Sequence, residues 1–121
     1  MDKTFLLIGA LAGFLGVALG AFGAHGLRAR LSPDMLAVFE TGVRYHMYHA
    51  LAIILVGLIA ARLDGWFIRA SGWCFSAGIV LFSGSLYSLA ITGITILGAI
   101  TPFGGLAFLL GWVFLIVAAV L

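Results

Sequence analysis

The sequence predicts an all-α integral membrane protein: a four-transmembrane-helix bundle with a short amphipathic surface helix between spans 1 and 2. Of its 121 residues, 64% are hydrophobic and only 8% are charged, and the mean hydropathy is +1.29. A soluble chain carries roughly 25% charged residues. Four apolar runs, at about 4–24, 43–62, 66–91 and 101–120, each approach the 20 or so residues that a helix needs to cross the hydrocarbon core. The segments between them are too short for a soluble domain. A chain in lipid must satisfy its backbone hydrogen bonds internally, which leaves a single membrane domain over 1–121 built as a helical bundle.

The first run, Thr4 to Ala24, exceeds the roughly 7–15 residues of a signal-peptide core, so it reads as a span despite Lys3 and the cleavage-like Ala21-Phe22-Gly23. Gly9, Gly13, Gly16, Gly20 and Gly23 alternate in steps of four and three. They fall within about 80° of the helix circumference, opposite Leu7, Leu11, Phe14, Leu15 and Phe22. That pattern predicts a smooth groove against another helix, with the bulky side turned to lipid.

In the connection that follows, Ser32-Pro33-Asp34 is a helix start: a capping hydroxyl, a proline in the first turn and an acid at the positive end of the helix dipole. Met35, Val38 and Phe39 share one side, which predicts the short helix on the membrane surface. The second run ends in a tight turn at Leu63-Asp64-Gly65. On the third, Gly72, Ser76, Ser83 and Tyr87 share a face, making this run the expected polar partner of the others. The uncharged stretch TGITILGAIT is expected to dip partly into the membrane, and Pro102 after Thr101 opens the fourth run.

Net charge is +2, from ten charged side chains near the ends of the runs. They concern the bilayer surface and give no footprint for nucleic acid. Arg28, Arg30 and Arg44 are placed at lipid headgroups on one face; Lys3, Arg62 and Arg69 stand on the other. Three against three leaves the positive-inside rule without a vote, while the even number of spans puts both termini on one side. The lone Cys74, between Trp73 and Phe75, excludes a disulfide within the chain and reads as a buried, inert thiol.

The stretch RYHMYH at residues 44–49 opens the second run. At 100° per residue, Tyr45, His46 and His49 lie above the side that carries Gly57 and Ala60, toward the bundle. Arg44 and Tyr48 lie toward lipid with Leu51, Ile54, Leu55 and Leu58. His49 falls about 9 Å inside the start of the run, where an ionisable group is a functional candidate by default. Alternating crossings bring His25, Arg28, Arg44, His46, His49, Ser83, Tyr87, Thr92 and Thr101 to one pole. The candidate polar site is therefore His25, Tyr45, His46, His49, Ser83 and Tyr87. No catalytic set is assigned, because the serines near Tyr87 have no carboxylate nearby in sequence to orient a base.

The motifs GAFGAHGL, TGVRYHMYHALA, LFSGSLYSLAITG and GAITPFGGLAFLLGW, in this order from about Gly20 to Trp112, resemble the family known as domain of unknown function 423. The resemblance implies a four-helix, multi-pass protein of the bacterial inner membrane with no established activity. It also implies that the motif histidines are His25 and His49, with glutamine more usual where this chain has His46. That departure weakens any ligand set built on His46 and His49.

Three functions compete. The first is a non-enzymatic binding or assembly module whose partners are membrane lipids, further copies of itself or other membrane proteins. The second is a small transporter or channel: no carboxylate lies inside a run, so proton coupling would use a histidine such as His49. The third is a haem or metal protein using His25, His46 and His49, for which no cysteine motif or acidic cluster provides further ligands. The first is the preferred reading, with no cofactor and no metal assigned.

Overall fold

The computed structural model describes residues 2–63 and 65–121. Asp64, at the centre of the expected turn between the second and third runs, lies outside the described residues. Four helical spans cross in alternating directions: Lys3–Leu27, Pro33–Ile59, Trp66–Thr92 and Thr95–Val120. Each is long and apolar enough to cross a membrane.

The helix starts follow the sequence chemistry. The Asp2 carboxylate accepts from Thr4 N–H at 2.9 Å, and Ser32 Oγ accepts from Met35 N–H at 3.2 Å, with Pro33 in the first turn. The helix opened by Pro33 then runs unbroken to Ile59. The separate surface helix expected between spans 1 and 2 is thus the opening turns of the second span. Nothing between Asp34 and Arg44 forces a break, since Gly42 is buried against Tyr87 and Leu86. Phe39 is fully buried in a cluster with Leu27 and Ala90, so the apolar side of these turns faces the bundle.

The glycine stripe of the first span packs against the second span, except at Gly13, whose Cβ position has nothing within 4 Å. A Cβ on Gly9 would stand 3.0 Å from the Ala50 carbonyl oxygen and 2.5 Å from Ile54 Cγ1. Gly16 faces Met47 and His46, Gly20 faces Val43, and Gly23 faces the Phe39 ring. Gly57 returns the arrangement from the second span, where a Cβ would meet the Leu6 nitrogen at 2.9 Å and the Asp2 oxygen at 3.0 Å. Missing side chains on both helices let the backbones approach closely, the packing mode that serves best where lipid is as apolar as leucine. Asp2 N–H also donates to the Gly57 carbonyl at 2.8 Å. Ile54, expected at lipid, therefore wedges against Gly9, whereas Leu51, Leu55 and Leu58 are exposed, as are Leu7, Leu11, Phe14, Leu15 and Phe22.

The third span contains a π-helical turn at Ile79–Ser83. Its buried positions advance from Ser71 to Phe75 to Gly78 in steps of four and three, then by five to Ser83. A π turn accommodates one extra residue and re-aims everything after it, which a uniform 100° wheel misses. The third and fourth spans interlock by aromatic rings on glycines: Phe108 on Gly78, Phe75 on Gly111, and the Phe82 backbone on Gly104. Phe5 joins the first span to the third by lying on Gly72. The third span ends at Gly93, whose φ of 72° is left-handed backbone that glycine adopts freely. The uncharged connection then folds as a 3₁₀ turn, Thr95–Ala99, leading into the fourth span.

Gly9→Val should destabilise the bundle by about 1–3 kcal/mol, because the methyls meet backbone atoms that cannot yield. Gly13→Ala, with nothing within 4 Å of its Cβ position, should be close to neutral. Reversible unfolding in mixed micelles compares the two.

Candidate functional site

His46 is the midpoint of the second span, thirteen residues from Pro33 and thirteen from Ile59. At 1.5 Å per residue it lies about 20 Å from either end, and His49 about 5 Å further along. Both are only 4% exposed. The second helix begins ten residues before its apolar run, and both histidines are buried within it, just beyond the exposed Arg44. His25 is exposed, in the π-helical turn Gly23–Leu27 that ends the first span. The three histidines therefore do not form one cluster. Among the described residues, no group of three His, Cys, Asp or Glu side chains comes together as a metal would require.

The partners of each imidazole define its tautomer. His46 Nε2 lies 2.7 Å from the Ala12 carbonyl oxygen, which can only accept, so Nε2 carries the proton. Nδ1 is then the acceptor, and the Tyr87 hydroxyl 2.8 Å away donates to it. One ring thereby ties the first, second and third spans together. The bond to Ala12 depends on Gly16: a Cβ there would press within 3.3 Å of His46 Cδ2.

His49 is held the opposite way round. Its Nδ1–H donates to the Tyr45 carbonyl one turn back at 2.7 Å, and its Nε2 accepts from the Trp112 indole N–H at 3.1 Å. The ring stacks on Phe108, with centroids 3.6 Å apart and planes at 8°, and Phe75 approaches at 5.4 Å. Phe75 and Trp112 pack at 4.8 Å, Phe82 and Phe108 at 5.4 Å, and Tyr45 and Phe82 at 5.0 Å. His49 is thus the polar centre of an aromatic cluster spanning the second, third and fourth helices.

The remaining site residues brace this centre. Ser83 is fully buried and donates to the Gly42 carbonyl at 2.7 Å, while Tyr87 packs on Phe39 at 4.9 Å. Tyr45 is 39% exposed and borders lipid. Ser76, expected to face another helix, donates within its own helix to Gly72 at 2.8 Å. Ser85 and Thr101 meet at 2.6 Å where the third and fourth spans adjoin. Arg28, Arg30 and Arg44 are exposed, as a headgroup contact requires. The sequence pointed to His46, His49, Ser83 and Tyr87, but gave no sign of Ala12, Phe75, Phe108 or Trp112. A backbone carbonyl leaves no mark in a sequence, and aromatic residues in an apolar run look like lipid-facing bulk.

Beside His49, a groove of about 550 Å³ opens sideways between the second and fourth spans. A smaller hollow of about 280 Å³ lies on the far side of the bundle, beside His46, Leu15 and Val80.

These features define a class: a multi-pass helical membrane protein whose two buried imidazoles are paired across helices. The chain belongs to the family described as protein of unknown function (DUF423), whose model matches residues 19–105. It is 53% identical over 119 residues to the UPF0382 membrane protein YwdK of Bacillus subtilis, covering 98% of this chain and 97% of that one. It is 48% identical over 119 residues to the UPF0382 membrane protein SH2409 of Staphylococcus haemolyticus, covering 96% and 94% of the two chains. No solved structure matches.

Tyr87→Phe removes the donor to His46 and should cost about 0.6–2 kcal/mol of stability. His46→Leu should cost more, since it also leaves the Tyr87 hydroxyl buried without its acceptor. His46→Gln offers both a donor and an acceptor and should retain most of the stability. A double-mutant cycle at 46 and 87, read by unfolding in micelles, measures the coupling.

Proposed function

We propose that this protein is a non-enzymatic binding and assembly module of the bacterial inner (plasma) membrane, engaging lipids and other membrane helices, copies of itself included. The observation that carries this reading is the pairing of both nitrogens on both buried imidazoles. A metal needs an imidazole lone pair, yet each lone pair here accepts a hydrogen bond from Trp112 or Tyr87. A proton carrier needs a nitrogen that can exchange with a water path, yet each N–H here is directed at a backbone carbonyl. The histidines act as cross-links inside the bundle. What the molecule offers to its surroundings is shape: apolar grooves open to lipid and a pole carrying arginines.

This reading agrees with the family's description as membrane proteins and with the absence of a buried carboxylate among the described residues. The test is native mass spectrometry of protein released gently from nanodiscs. The expected spectrum shows the 12.7 kDa chain carrying lipid, or multiples of the chain, surviving activation that strips detergent. A bare monomer under every mild condition, with no membrane protein recovered alongside it, overturns the proposal.

A further inference from the structure

We infer that the groove beside His49 is a site for one glycerophospholipid, its acyl chain lying along the second and fourth spans and its phosphate held at the pole by Arg44. This rests on the binding reading above and names a ligand for it. The groove has a definite start and end. Thr41 and Pro102 line it at the pole, Tyr45, Phe108 and Leu109 form its walls, and Trp112 stands at its deep end. From Pro102 to Trp112 is ten residues, about 15 Å of helix.

That is half of a hydrocarbon core about 30 Å thick, so the groove runs from the interface to the mid-plane, the direction and reach of a single acyl chain. A helix from a partner protein would cross both leaflets. The groove stops at Trp112, so it suits a lipid tail and leaves half of such a helix without a seat. Its lining carries no charge, as an acyl chain requires.

The headgroup end has the complementary chemistry. Arg44 is exposed and lies one turn below Thr41 on the same helix, near enough to reach the mouth. Arg28 and Arg30 are exposed at the same pole, and these three guanidiniums face two carboxylates there, Asp34 and Glu40. The surplus favours a phosphodiester. At the deep end Trp112 is 41% exposed while its N–H is held by His49. The imidazole thus fixes the ring against which the tail's end would rest.

Trp112 also supplies the measurement. In a Trp66→Phe/Trp73→Phe variant it is the sole tryptophan, while a Trp66→Phe/Trp112→Phe variant leaves Trp73, 54% exposed on another face, to report ordinary boundary lipid. Both are reconstituted in unbrominated phosphatidylcholine with increasing fractions of anionic phosphatidylglycerol brominated in its acyl chain. Trp112 fluorescence should fall at a fraction of brominated lipid about fivefold lower than Trp73 requires, the factor expected for one arginine near the surface. Gly105→Leu, which fills the groove, and Arg44→Gln, which changes only an exposed side chain, should each remove that difference.

Identical curves for the two tryptophans, or a difference that survives both substitutions, overturn the site. So does Trp112 protection that disappears on diluting protein in lipid, which would make the occupant a second copy. Native mass spectra of the same samples separate the two proposals. Lipid-bearing or multimeric protein with identical quenching curves removes this site and leaves the broader reading, whereas a bare monomer removes the broader reading.

Discussion

In the centre of a bilayer a polar atom has no water to turn to, and the structure of this protein follows from that constraint. Two imidazoles lie in the middle of the second span, and each needs a donor and an acceptor from protein alone. The helices supply them only because they come close. Gly16 lets His46 reach the Ala12 carbonyl, and Gly111 lets Phe75 settle beside Trp112 and His49. Close packing and polar satisfaction are therefore one problem with one solution. Among the described residues, one buried hydroxyl stands outside it: Ser71 Oγ has no hydrogen-bond partner.

The two halves of the molecule reach close approach by different means. The first and second spans meet backbone to backbone, with glycines on both sides of the seam. The third and fourth meet ring to glycine, so aromatic volume fills the space that a deleted side chain leaves. The π turn at Ile79–Ser83 lets the third span serve both halves. It presents Phe75 and Gly78 to the fourth helix, then rotates Ser83 and Tyr87 toward the second.

Much of this was legible in the residues. The four spans, the groove at Gly9, Gly16, Gly20 and Gly23, the Ser32-Pro33 start and the inward aim of His46 and His49 all follow from periodicity and capping chemistry. The joining of the Pro33 start to the second span did not. Hydropathy starts the second span near residue 43, because Arg28, Arg30, Asp34 and Glu40 dilute the signal before it, whereas the backbone has already become helical at Pro33. The partner of the glycine groove was not legible either. A helical wheel says which side of a helix is smooth and says nothing about which neighbour arrives there.

The seam between the first two spans has a consequence for how the chain is made. Asp2 is bonded to Gly57, and Ala12 to His46, so the first span is fastened to a partner complete by residue 59. Half of the protein can therefore zip together as a hairpin while the remainder is still being synthesised. His46 Nδ1 and His49 Nε2 then wait for Tyr87 and Trp112, and the later helices dock onto acceptors already in position.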